Sequence, residues 1–113
     1  MGKGRRSQLN DQARYRYQVD HFIERIQQRY DNLRFGEADF LALHDLIHRQ
    51  SPDCYHLASN KDGTVIYRVR YKNRDIICNY NPLVALPVTE DTSLQGMITT
   101  VLDPRKVAQI RPR

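Results

Sequence analysis

The sequence predicts an α+β fold, with two N-terminal helices packed on an antiparallel sheet of about four strands. Apolar residues recur at helical spacing through the first half, at Val19, Phe22, Ile23, Ile26 and Tyr30 and again at Phe40, Leu43 and Ile47. Past Pro52 the period changes to two: in Thr64–Tyr71, the residues Val65, Tyr67, Val69 and Tyr71 fall on one face. The later strand-like runs are joined by links of turn length, which implies antiparallel pairing with the helices over one face. A chain of 113 residues supports one compact domain.

Residues 1–8, with Lys3, Arg5 and Arg6 among glycines, read as a flexible basic arm that adds salt-sensitive affinity for phosphate. A first helix is expected from Asn10 to Leu33, with Asn10 or Asp11 as N-cap. Gly36 marks the break before a second helix, Glu37 to Gln50. Ser51-Pro52 stops that helix, because the residue before a proline avoids helical geometry. Tyr55–Ser59 reads as a short strand ahead of the turn Lys61-Asp62-Gly63. Lys72-Asn73-Arg74-Asp75 then turns the chain into Ile76–Tyr80. Asn81-Pro82 is expected to interrupt, with Leu83–Val88 resuming as an extended or edge segment around Pro87. Thr89–Gly96 reads as a polar loop and Met97–Leu102 as the last strand, closed by Asp103-Pro104. The organisation is therefore one domain over 9–104 and a loosely ordered basic tail over 105–113.

The net charge of +5, with 18 Lys and Arg against 13 Asp and Glu and arginine dominant, favours a polyanionic partner. Cys54 and Cys78 are too far apart for a CxxC zinc or redox motif, and Cys78, in an apolar run, is expected to be a buried free thiol. Met1–Asn10 is polar and basic, unlike a signal peptide, and no run approaches membrane-spanning length. The expected compartment is a reducing cytoplasm, with no membrane partner. Neither a nucleophile elbow nor a phosphate-cradling glycine loop is present. His44 and His48 have the i, i+4 spacing of two metal ligands but no matching third, so no metal or other cofactor is expected.

His21, Arg25 and either Gln28 or Arg29 step along a second side of the first helix. The bland reading is a solvated basic face. The functional one is a phosphodiester site, since histidine moves a proton near neutral pH and arginine grips phosphate oxygens in a fork. Metal-independent RNA cleavage needs a base for the 2′-hydroxyl, a cation for the developing charge and an acid for the leaving oxygen. His21 can serve as base or acid. Arg25 and Arg29, with Arg68 or Arg70 from a strand, can supply the positive field, and Thr99 or Thr100 can bind a phosphate oxygen. Tyr67, Tyr71 and Tyr80 can stack on a base or donate a hydrogen bond, the competing reading being core residues. Arg14 and Arg16, with Tyr15 and Tyr17, can face nucleic acid or form a solvated turn.

A helix carrying His-Phe-x-Glu-Arg-Ile (His21–Ile26), a second helix and a short meander closing on Ile-Thr-Thr-Val-Leu (Ile98–Leu102) resembles the small RNase toxins and phage proteins of the RelE-like group. That group belongs to the barnase–EndoU–colicin–RelE superfamily, and the resemblance covers roughly residues 18–104. It implies a site built from His21, Arg25, Arg68, Arg70 and Thr100 around the scissile phosphate. It also implies RNA as partner, with a protein antitoxin or the ribosome as further candidates. The Asn81–Pro87 segment departs from the pattern by breaking the hairpin, which bears on the strand-borne part of the site.

The leading expectation is a small metal-independent endoribonuclease, toxin-like or phage-encoded, cleaving by 2′-OH attack. The alternatives are a non-catalytic nucleic-acid-binding module on the same basic surface, and a protein-binding inhibitor or accessory factor of phage origin. The last would grip its partner through the acidic–apolar second helix (Glu37, Asp39 and Asp45 beside Phe40, Leu41 and Leu43) or a sheet edge.

Overall fold

The computed structural model describes residues 2–87 and 93–107. In chain order the elements are α1 (Gly2–Arg29), α2 (Glu37–His48), β1 (Cys54–Ser59), β2 (Val65–Tyr71), β3 (Arg74–Pro87), β4 (Ser93–Leu102) and a short α3 (Pro104–Val107). The strands form one antiparallel sheet in the order β1-β2-β3-β4, so β1 and β4 are its edges. The architecture is α+β, with the two long helices ahead of the sheet.

The helical stripes read from the sequence are the core. Val19, Phe22 and Ile26 of α1 and Phe40, Leu43 and Ile47 of α2 are buried, and they pack on Val69, Ile76, Cys78, Ile98 and Val101. α1 lies over β3 and β4, and α2 packs against β2. The alternation of β2 sorts its side chains: Tyr67, Val69 and Tyr71 join this core, while Ile66 joins Leu57 and Ile77 in a smaller cluster on the opposite face. Cys78 is a free, buried thiol whose pKa burial pushes up.

Polar contacts, some of them fully buried, bolt the helices to the sheet. The Tyr30 hydroxyl accepts from the Ile77 N–H (2.9 Å) and donates to the Leu102 carbonyl (2.8 Å), bridging the first part of β3 to the end of β4. His44 accepts at Nε2 from the Ile98 N–H (2.9 Å) and donates from Nδ1 to the Phe40 carbonyl (2.7 Å). A backbone N–H can only donate, so this imidazole is the neutral Nδ1–H tautomer. Burial holds its pKa down to about 4. At the start of α2, the Asp39 carboxylate accepts from the Gly36 N–H (2.9 Å), the Tyr71 hydroxyl (2.7 Å) and Lys72 Nζ (2.8 Å).

Several boundaries differ from the sequence reading. α1 begins at Gly2 instead of Asn10, so residues 2–8, expected as an arm, run on as helix. No proline opposes this, and Arg5, Arg6, Gln8 and Leu9 are good helix formers. The helix ends at Arg29, short of Leu33, because Asp31 and Asn32 take positive φ (53° and 62°), a conformation Asp and Asn tolerate better than most residues. Pro82 does not interrupt β3. The ladder passes from Asn81 opposite Met97 to Ala85 opposite Gln95, so the missing proline N–H falls where no residue is paired.

β4 correspondingly reaches back to Ser93, taking in Ser93–Gly96 from the expected loop. Gly96 permits the close packing there: its φ is +88°, and a Cβ would lie 1.8 Å from the Tyr80 hydroxyl oxygen. Asp103-Pro104, read as a strand stop, also starts α3, which takes in the first residues of the expected tail. Asp103 accepts the Arg105 N–H (2.9 Å) as N-cap, and Pro104 holds the first helical position. Val88, residues 89–92 and residues 108–113 lie outside the described residues.

Candidate functional site

Tyr17, His21, Arg25 and Arg29 recur every fourth residue and share one flank of α1. Tyr17 is 64% exposed, and its ring lies nearly parallel to the His21 imidazole, with centroids 6.0 Å apart and planes 13° from each other. Partial burial, and then the Arg25 cation, hold the His21 pKa below its ordinary value, against a smaller opposing pull from Glu24. Both effects disfavour the imidazolium and favour the neutral ring, the form that can accept a proton. Arg25 donates to Gln28 Oε1 (2.7 Å), whose amide donates to Glu24 (3.2 Å). Arg29 donates to the Val101 carbonyl, which seats this flank of α1 alongside the edge strand β4.

One turn before His21, α1 and the β3–β4 hairpin enclose a cavity of about 570 Å³, lined by Ala13, Arg14, Tyr17, Gln18, Val84, Met97 and Thr99. Thr99 is the extra residue of a bulge, because Asn79 pairs with Thr100 and Tyr80 with Ile98. Its hydroxyl accepts from Asn79 Nδ2 (3.0 Å), and Asn79 Oδ1 accepts from Asn60 (3.3 Å), a chain of amides on the sheet face away from the helices. Thr99 thus borders both the α1 flank and the far face of the sheet. The sequence reading misses Gln18, whose only signal is a helix position one turn before His21. It offers Thr99 merely as an alternative to Thr100, because a threonine pair does not reveal which member a bulge will turn.

The sheet residues divide from the helix residues. Arg68 and Arg70 alternate with the core-facing positions of β2 and so lie on the far face; Thr100, opposite Asn79 in register, lies there too. The Arg68 guanidinium sits 5.0 Å above the Tyr55 ring, a cation–π pair on a residue 50% exposed. Arg70 pairs with Asp75 across the hairpin at 3.3 Å. His21 and Arg25 are therefore on the helix side of β4, and Arg68 and Thr100 on the other side. Arg29 and Arg70 do converge, in a cleft of about 370 Å³ at the end of the sheet.

Other expected contacts have structural partners. Tyr80 is buried: its hydroxyl donates to the Gln95 carbonyl (2.9 Å) and accepts from His48 Nε2 (3.0 Å), so its ring is not presented for stacking. Tyr71 is occupied by Asp39, and Tyr67 packs against Tyr80 on the core side (centroids 5.8 Å). Both bear on the helix side of β2 because the alternation that buries Val69 buries them with it. Arg14 and Arg16 do not act as a pair. Arg16 bridges to Glu37 at the start of α2 (3.1 Å), whereas Arg14 lines the cavity by His21 and lies 3.7 Å from Asp11. Tyr15, between them, is core, and donates to Glu37 (2.7 Å).

No family model matches the chain, and neither the curated proteins nor the solved structures yield a match. Among the described residues, no group of three His, Cys, Asp or Glu side chains is placed to hold a metal ion, and both ring nitrogens of His44 are taken by backbone. Among the same residues, no helix is long and apolar enough to cross a membrane.

Proposed function

We propose that the chain is a small RelE-like endoribonuclease that cleaves RNA by attack of the 2′-hydroxyl, with its reacting phosphate on the α1 flank beside β4. The observation that carries this is the placement of His21, with Arg25 one turn along the helix and Tyr17 stacked against it, where burial and the Arg25 cation disfavour the charged ring. The imidazole takes the 2′-hydroxyl proton as the 2′-oxygen attacks phosphorus. The bond from phosphorus to the 5′-oxygen breaks, and that oxygen leaves with a proton from solvent or from the imidazolium. A 2′,3′-cyclic phosphate and a 5′-hydroxyl result. Arg25 offsets the extra negative charge on the phosphoryl oxygens. Thr99, at the bulge, supports the reading better than Thr100, because it borders the α1 flank.

A matched pair of oligoribonucleotides, one with a single 2′-deoxy position, tests the chemistry. Wild-type protein should cut every linkage it recognises except the deoxy one, and His21→Ala should cut none. Cleavage at the deoxy linkage, or full activity in His21→Ala, overturns the proposal.

The separation of Arg68 and Thr100 from His21 favours a second reading, a nucleic-acid-binding module without catalysis. Binding that weakens steeply with salt and yields no product would establish it.

A further inference from the structure

Four arginines from four elements surround the cleft at the end of the sheet: Arg29 of α1, Arg70 of β2, Arg74 at the start of β3 and Arg105 of α3. Residues so far apart in sequence do not meet because a single helix face happens to be basic. Each is brought there by its element's end. The hairpin before Arg74 turns on two residues of positive φ, Lys72 (49°) and Asn73 (62°), the primed turn geometry that fixes a tight hairpin. Arg29 is held by the Val101 carbonyl, and Arg105 by the Asp103 cap.

The cleft also contains Asp31 and Asp75, but its cations are not consumed. Among the described residues the Arg74 guanidinium makes no hydrogen bond or ion pair, and the Arg70–Asp75 pair is about half exposed (53% and 46%) at 3.3 Å. Arg105, which pairs with Asp103 at 3.1 Å, is itself 80% exposed. Exposed pairs of this kind are held weakly, so an incoming phosphate can take over their guanidinium donors.

We propose that this cleft is a second phosphate-binding subsite, which holds a backbone phosphate of single-stranded nucleic acid more than one nucleotide away from the phosphate at His21. The position relative to His21 rests on the ribonuclease reading; the phosphate chemistry of the cleft does not. His21 and Arg29 are eight positions apart on α1, about 12 Å along its axis, which is longer than one phosphodiester step. Arg25 lies between them on the same flank, so the positive groups form a track from the imidazole to the cleft.

The test uses single-stranded deoxyoligonucleotides, which lack the attacking 2′-hydroxyl and so report binding alone. A six-nucleotide strand and a dinucleotide are titrated into the wild type, Arg74→Ala, and Arg74→Ala with Arg105→Ala, at several salt concentrations, with inorganic pyrophosphate in parallel. The double variant should bind the six-nucleotide strand about tenfold more weakly, with a salt slope shallower by about 0.7 for each phosphate it no longer neutralises, and the dinucleotide as the wild type does. Unchanged affinity and slope for the longer strand overturn the proposal, as does an equal loss for the dinucleotide. Pyrophosphate binding that needs Arg74, beside strand binding that does not, makes the cleft a small-anion site and also overturns it. Length-dependent binding through Arg74 in a protein that cuts no RNA overturns the ribonuclease reading and leaves the subsite standing.

Discussion

His44 is uncharged inside the folded chain, and acid exacts a cost for that. Its folded pKa is lowered to about 4 by burial, whereas the unfolded chain binds the same proton near 6.5. Between those values the unfolded state holds more protons, so stability is full above pH 6.5 and falls as pH drops toward 4. The gap corresponds to about 3 kcal/mol, with a slope of up to about 1.4 kcal/mol per pH unit. Urea midpoints from pH 7.5 down to 4.5 should follow this slope in the wild type and lose most of it in His44→Asn; an identical slope in the variant contradicts the assignment. Tyr30 is the companion case. Tyr30→Phe keeps the buried ring but leaves the Ile77 N–H without its acceptor, and should cost about 1–3 kcal/mol in denaturant unfolding. A neutral result would mean that the hydroxyl bridge contributes nothing.

At the scale of elements, the β3–β4 hairpin is where packing depends on a single backbone position. Gly96→Ala forces both a positive φ on a residue with a Cβ and a collision with Tyr80, which is itself tied to Gln95 and His48. The loss should reach about 2 kcal/mol or more, read as a drop in Tm, and a substitution without effect would show that Tyr80 packs elsewhere. The periodic parts of these elements were legible in the sequence. Phe22, Ile26, Phe40, Leu43 and Val69 announce their burial through spacing alone. The hairpin was not legible, because a bulge changes register without changing composition, and Pro82 reads as a breaker unless the unpaired stretch around it is known. His44 was hidden for a related reason. Its partner, the Ile98 N–H, lies on a strand far along the chain, so only the i, i+4 spacing to His48 was visible. The candidate site was half legible: the flank of His21, Arg25 and Arg29 follows from helix periodicity. That β4 stands between it and Arg68 follows only from where α1 docks on the sheet.

At the scale of the whole molecule, the two layers set the basic groups apart. α1 covers β3 and β4 on one face, and its polar flank meets the edge strand β4 where Arg29 donates to the Val101 carbonyl, at the arginine cleft. The far face carries Arg68 over Tyr55, with Asn79 and Thr100 nearby. On the ribonuclease proposal, a strand of RNA laid along the edge of β4 would meet the α1 flank first and reach the far face only around Thr99. Phosphate contacts dominate such a surface, so affinity for single-stranded nucleic acid should fall as a power of salt concentration, by about 0.7 log units per tenfold salt for each phosphate neutralised. A salt-independent affinity would exclude this route. Whether His21 moves a proton in RNA cleavage is decided by incubating the purified protein, and His21→Ala, with total RNA in EDTA. Wild-type protein should yield fragments ending in 2′,3′-cyclic phosphate, and His21→Ala should leave the RNA intact. Intact RNA with both proteins, or equal cleavage by both, contradicts that role of His21.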